Sequence, residues 1–392
     1  MQKRTRPLDG ITVVTLEHAI AAPFATRQLA DLGARVIKVE RPDGGDFARD
    51  YDSRVKGKLA SHFVWCNRSK ESVAVDLKST EGLDVLAKLV RKADVLVQNL
   101  APGAAARLGL DARKLRVKYP RLIVCDISGF GTGGPDGARK AYDLLVQAET
   151  GLLSVTGTAK EPAKVGISIA DIATGMYAFS SILAAIRLRD RTGAGSHIDL
   201  SMLEALGEWM GYPLYYTMDG APPPARTGAS HATIYPYGPF DTKDGTVLFG
   251  LQNEREWSAF CDGVLMKPDL MSREDFANNK NRNANREALR QIITDSFSDL
   301  TSAEVISRLN AAGIANGRVN EMSGFWGHPQ LEARGRWRAV ETEIGSVPAL
   351  LPPLASDAFD PRMDPVPFLG QHTAAVLAEL EEEAVPALGM TA

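Results

Sequence analysis

The sequence predicts an α/β protein: a large domain built on a doubly wound, Rossmann-like parallel sheet, plus a smaller α+β domain. Short β-branched runs alternate with helix-patterned stretches through the first third of the chain, which is how βαβ units read. The length of 392 residues exceeds what one core usually supports, so about two domains are expected. A Pro/Gly/Ala linker at 220–230, GAPPPARTGAS, then separates this pattern from a hairpin-like FDTKDGTVLFG.

Taken in order, ITVVTL (11–16) reads as a buried strand, PFATRQLADL (23–32) as a helix closed by Gly33, and RVIKVE (35–40) as a second strand. SVAVDL (72–77), DVLVQNL (94–100) and LIVCDI (122–127) are further strands, and STEGLDVLAKLVRKA (79–93) is a helix. A helix from Asp171 to about Arg187 leads through RDRTGAGSHIDLS into another. The hairpin turns at its DG pair, and 253–330 is expected to be mostly helical. The expected layout is therefore 1–219 as the first part of the large domain, 220–330 as linker and small domain, and 331–392 returning to the large domain.

Composition excludes several classes. With 44% hydrophobic and 24% charged residues, and 45 basic against 48 acidic side chains, the chain has the balance of an ordinary globular protein. A net charge of -3 gives no basis for nucleic acid or an anionic membrane as partner. The N-terminal MQKRTRPLDG carries no apolar signal region, and no stretch reads as a membrane span, so a cytoplasmic protein is expected. Cys66, Cys125 and Cys261 are scattered, with neither disulfide nor zinc spacing, and no metal is expected.

A doubly wound sheet binds ligands beyond the carboxyl ends of its strands, here the loops 17–24, 41–50, 99–107 and 128–140. Glu40 ends a strand where dinucleotide enzymes hold a ribose, yet the first loop, EHAIAAPF, lacks the glycines that let a pyrophosphate approach. Instead the loops carry Arg41, Lys70, Asn99, Arg107 and Lys140, a converging set suited to the phosphates of a large anionic ligand. In VGISIADIATGMYAFSSILAAI (165–186), Asp171 is the one ionisable carboxyl, at an extended-to-helix transition. It fits either a helix cap or a nucleophile.

The fragments LDGITVVTLEHAIAAPFATRQLADLGARVIKVERPDGGD, NRSKESVAVDLK, VLVQNLAPGAAARLGL, ISGFGTGGP, YDLLVQAETGLL, ADIATGMYA, GSHIDLSMLEA, HPQLEARGRW and FLGQHTAAVLAEL, in this order, resemble the family III CoA-transferases. The resemblance implies that Asp171 attacks an acyl-CoA thioester to form a mixed anhydride, and then carries CoA as an enzyme thioester. It implies CoA contacts from Ile20, Ala21, Arg41, Lys70, Asn99, Leu100, Arg107 and Lys140. It implies coenzyme A esters and carboxylic acids as substrates, no permanently bound cofactor, and a homodimer of interlocked chains.

Substrate contacts follow with less constraint. The family carries a mobile glycine-rich loop where this chain has Gly250, Leu251 and Gln252, with one glycine in place of a run; Gly250 equally fits a strand end. RTGASHATIYPYGPF (226–240) resembles the branch using succinate, glutarate, mesaconate or itaconate, where Arg226 or His231 can hold a distal carboxylate or serve structure. Two alternatives stay open. One is an α-methylacyl-CoA racemase-type enzyme of the same fold, although Tyr142 stands where racemases place a histidine; the other is a non-catalytic CoA-binding protein.

Overall fold

A computed structural model describes residues 5–382. Contacts divide the chain into two compact units: residues 1–150 with 166–210 and 331–392, and residues 151–165 with 211–330. The expected layout placed 151–165 and 211–219 in the larger body. The first of these segments clusters with the second unit because Arg226 donates to the carbonyls of Thr158, Ala159 and Ser154, and Gly228 N–H to Gly157. A brace between positions so distant leaves no local sequence signal. Residues 383–392 of the expected C-terminal segment lie outside the described residues.

The first unit is built on six parallel strands, β1 (Thr12–Leu16), β2 (Arg35–Glu40), β3 (Lys70–Ala74), β4 (Val95–Gln98), β5 (Ile123–Ser128) and β6 (His197–Ser201). Their order is β3-β2-β1-β4-β5-β6, so the winding direction reverses between β1 and β4. Alternating side chains feed two cores. Val13, Val36, Val95, Val97, Ile123 and Cys125 pack with helices Ala21–Asp31 and Ile169–Thr192; Val14, Ile37, Leu96 and Val124 pack with helices Thr80–Lys92, Ala112–Lys118 and Thr373–Glu382. β3 begins earlier than the sequence pattern indicated, and β6 was read only as a connection, since HIDLS has mixed polarity and sits at the sheet edge.

Helix Ile169–Thr192 is long and apolar enough for a membrane span, contrary to the reading that no stretch is. Its apolarity serves the interior: Ala170, Ala173, Ala178, Ile182 and Ile186 are buried. Gly175 permits the closest approach. A Cβ there would come within 2.7 Å of the Ala21 carbonyl and 2.9 Å of the Phe24 ring.

The second unit contains an antiparallel sheet of β7 (Tyr237–Thr242), β8 (Gly245–Gly250) and β9 (Asn316–Arg318). Phe240, Phe249, Phe260, Phe276 and Phe297 fill its core. The hairpin has Lys243 and Asp244 at its tip, because Thr242 pairs with Gly245. β9 falls in a stretch read as mostly helical; at three residues it is too short to show a period.

Candidate active site

The site of the first unit lies at the carboxyl ends of β1 and β4, where the winding reverses. Asp171 occupies the first turn of Ile169–Thr192, with its side chain partly buried. Residues four apart share a helix face, so Asp171 lies one turn beyond Gly175 on the face that meets the start of helix Ala21–Asp31. It is not the cap. Ser168 holds the cap position without a side-chain bond, and the donors are taken by Asp143, whose Oδ1 accepts from Ala170 N–H (2.8 Å) and Asp171 N–H (3.3 Å). Burial first, and then the facing Asp143 carboxylate, push the Asp171 pKa up to about 7.

Two groups given no role by the sequence reading join this locality. Asp143 opens helix Asp143–Glu149, and its Oδ2 accepts from Gln147 Nε2 at 2.7 Å. Tyr51 is half exposed; burial raises its pKa, followed by the Asp46 and Asp171 carboxylates and Tyr142. Tyr142 itself is 72% exposed at the helix cap. Neither Asp143 nor Tyr51 belongs to a spaced motif: Tyr51 lies between Asp50 and Asp52 after a short 3-10 turn, and Asp143 follows Tyr142 at a helix start.

The first loop is clamped from below by buried charge. Glu17 Oε1 accepts from Lys70 Nζ (2.6 Å) and Lys38 Nζ (3.3 Å), and its Oε2 from Thr26 (2.6 Å) and Thr15 (2.9 Å). Lys38 also donates to Asp46 at 2.6 Å, and Asp46 Oδ1 accepts from Ala19 N–H at 3.0 Å. Burial alone would raise the Asp46 pKa, but Lys38 holds it far below the usual carboxylate range. Glu40 is spent on Arg49, Ser72 and the Asp46 N–H, which leaves nothing for a ribose. A charged residue inside an otherwise apolar strand, as in RVIKVE, was the available signal, because a buried charge requires a partner.

This network occupies several of the side chains expected at the CoA site. The Lys70 ammonium is fully buried and saturated by Glu17, the Pro23 carbonyl (3.0 Å) and Asn67 Oδ1 (3.0 Å), so it does not reach a phosphate. Burial lowers its pKa to about 8. The Asn99 amide is spent on His18: Oδ1 accepts from its N–H and Nδ2 donates to its carbonyl, both at 2.9 Å. Ile20 and Ala21 are each 3% exposed. Leu100 is partly buried, its N–H held by Gln98 Oε1 at 2.7 Å.

Three rim cations remain outward. Arg41 is exposed, stacked 5.0 Å over Phe47 and bonded to the Gly45 carbonyl. Arg107 is exposed at the end of a short helix and lies over Gly103, where a Cβ would sit 3.1 Å from Nη1. Lys140 is exposed, whereas its neighbour Arg139 is taken by Asp136 and Glu149. Among the described residues, neither Arg107 nor Lys140 has an ion-pair partner.

In the second unit, Gly250 ends β8 and is packed; a Cβ there would come within 2.7 Å of the Tyr237 ring. Leu251 is buried with its N–H on the Pro236 carbonyl, and Gln252 N–H is held by Glu256, so of the two readings left open for Gly250 the structure has the strand end. Tyr237 stacks on His231 at 5.3 Å. His231 Nδ1 accepts from Thr233 and Ile234 N–H, which leaves the ring proton of the neutral tautomer on Nε2. Arg226 is occupied by the three carbonyls named above and is a brace within its unit.

A carboxylate relieved of helix capping, in a doubly wound unit that also exposes Arg41, Arg107 and Lys140, suits an enzyme of the acyl-transfer class. The chain belongs to the CoA-transferase family III, whose model matches residues 8–373. It is 36% identical over 391 residues to a succinate–glutarate CoA-transferase of Agrobacterium fabrum, covering 97% of both chains. It is 32% identical over 378 residues to the succinyl-CoA:glutarate CoA-transferase of Homo sapiens, covering 96% of this chain and 86% of that one. A crystal structure of a CAIB/BAIF family protein from Brucella suis superposes with a TM-score of 0.85 at 34% identity, over 96% of this chain and all of that one.

Proposed function

We propose that the protein transfers CoA from an acyl-CoA donor such as succinyl-CoA to a second carboxylic acid, a dicarboxylate of the succinate, glutarate, mesaconate or itaconate class, with Asp171 as nucleophile. The observation that carries the mechanism is that Asp143 takes over the helix-capping amides, leaving the Asp171 carboxylate unbonded on the face toward the first loop. Relatives named for succinate and glutarate support the substrate class.

An Asp171 oxygen attacks the thioester carbonyl, the C–S bond breaks, and CoA leaves as a thiolate, giving a mixed anhydride. The thiolate then attacks the Asp171 carbonyl and expels the first acid as its carboxylate, leaving an enzyme–CoA thioester. The acceptor carboxylate attacks that thioester, thiolate departs again, and its attack on the acceptor's acyl carbon yields the new CoA ester and frees Asp171. No net proton or electron is exchanged. Arg41, Arg107 and Lys140 supply charge for the CoA phosphates. His231 Nε2–H is a donor suited to a distal carboxylate. Tyr142, a phenol where racemases use histidine, favours transfer over proton abstraction.

The reading includes a cytoplasmic homodimer. Tyr212, Leu214, Tyr215 and Met218 are all more than half exposed along one short stretch, an apolar surface of the kind a second copy covers. Light scattering of the purified protein tests the dimer. For the reaction, succinyl-CoA is offered with a panel of acids and new CoA esters are measured, while hydroxylamine trapping and peptide mass spectrometry follow Asp171. Exchange with a modified Asp171 peptide is expected. Exchange by an Asp171→Asn enzyme at parental rate would overturn the mechanism.

A further inference from the structure

Asp143 is more than a neighbour of the nucleophile. One of its oxygens bridges the Ala170 and Asp171 amides, and the other is held by the buried Gln147 side chain, so the carboxylate is fixed behind the first turn of the catalytic helix. Among the described residues, neither Asp143 nor Asp171 has an ion-pair partner. Of the ionisable groups on the elements packed around them, Asp31 is committed to Arg68 and Arg27, Glu204 to Ser201, Glu149 to Arg139, Asp126 to His197 and Arg189 to Asp94. The Tyr51 phenol lies in the field of Asp171, and Tyr142 acts in turn on Tyr51.

We propose that Asp143 is a positioning residue that both orients the first turn carrying Asp171 and destabilises its free carboxylate by like-charge repulsion, a repulsion relieved each time Asp171 is acylated. The inference rests on the aspartyl mechanism above. Its physical content is simple. An anhydride or thioester on Asp171 is neutral, so each covalent intermediate faces one carboxylate charge where the free enzyme has two. The strain sits in the resting enzyme and is released on the path to the intermediates. The rise in the Asp171 pKa has the same second cause, after burial.

The test separates charge from shape. Asp143→Asn keeps an oxygen that accepts from both amides but removes the charge, whereas Asp143→Ala removes both. Transfer from succinyl-CoA to glutarate is followed from pH 5 to 9, and intact-protein mass spectrometry gives the fraction of enzyme carrying CoA in the steady state. For Asp143→Asn the acid limb of kcat/KM is expected to fall by about one pH, the plateau kcat to drop about tenfold or more, and the covalent fraction to shrink, at a near-parental melting temperature. An acid limb and covalent fraction identical to the parent would overturn the proposal, as would losses that match those of Asp143→Ala and track melting temperature alone. Trapping on the parent keeps the two readings distinct: an Asp171 adduct with an unmoved limb sinks only the role of Asp143, while a parent without the adduct sinks the aspartyl mechanism and this inference with it.

Discussion

The Asn99 side chain grips the backbone of His18 on both sides, accepting from its N–H and donating to its carbonyl at 2.9 Å each. Asn99 follows β4 and His18 follows β1, so this amide spans the point at which the sheet reverses its winding. The first loop is thereby held open in a fixed shape, with Ala19 in the left-handed region at φ 62° and its N–H on Asp46.

Asn99→Ala should therefore act through the loop. Loss of two part-buried hydrogen bonds costs about 1–3 kcal/mol of stability, and kcat should fall with it. Thermal melts and steady-state kinetics check this. A variant that melts with the parent and changes only KM for the CoA ester would make Asn99 a direct ligand contact instead.

Lys70→Met should destabilise strongly without a selective effect on CoA. The substitution removes the nearer of the two cations on the buried Glu17 carboxylate, leaving Lys38 at 3.3 Å, and breaking one side of a buried pair costs up to about 3–5 kcal/mol. Urea unfolding measures it. An unchanged midpoint together with a raised KM for CoA would contradict the buried placement of Lys70.

Reversing the rim cations should do the opposite. Arg41→Glu, Arg107→Glu and Lys140→Glu are each expected to raise KM for the CoA ester about tenfold, with little change in melting temperature. Screening makes the effect smaller at high salt, so titrating ionic strength is the discriminating measurement. KM values equal to the parent at low salt would remove the residue concerned from the phosphate site.

Asp171→Asn should abolish transfer yet stabilise the fold in alkaline buffer. The folded carboxyl is raised from the ordinary 3.8 to about 7, so its ionisation disfavours the native state as pH rises through about 7, and the stabilising contribution survives only at low pH. Asparagine carries no such charge. The gain is bounded by about 4 kcal/mol and should appear at pH 8 but vanish near pH 3, as read from paired melts. Parental activity should likewise rise with pH through about 7, where the nucleophile ionises.

Gly250→Ala tests the second unit. The added methyl meets the Tyr237 ring and disturbs its stack on His231, an overpacking that usually costs about 1–3 kcal/mol. KM for a dicarboxylate acceptor should rise more than KM for a monocarboxylate. Equal changes for both acids would return His231 to a purely structural role.

The sequence by itself determined the doubly wound sheet, since β-branched runs spaced by amphipathic helices have few other ways to bury both faces, and it marked Asp171 as a lone carboxyl at a helix start. It also put Arg41, Arg107 and Lys140 in segments beyond strand ends, and all three are exposed. What it left open was where each polar side chain is spent. Lys70 and Arg107 look alike in sequence, yet one is sealed against Glu17 and the other stands free over Gly103. Asp171 reads as its own helix cap until Asp143 takes the amides from 27 and 28 positions away. Periodicity reports which face of an element is buried; it carries no information on which distant partner meets a charge once the chain has folded. Only the tertiary structure brings Glu17 to Lys70 across 53 positions, and desolvation then makes that pairing obligatory, so one lysine becomes a buried strut while another, Lys140, stays exposed.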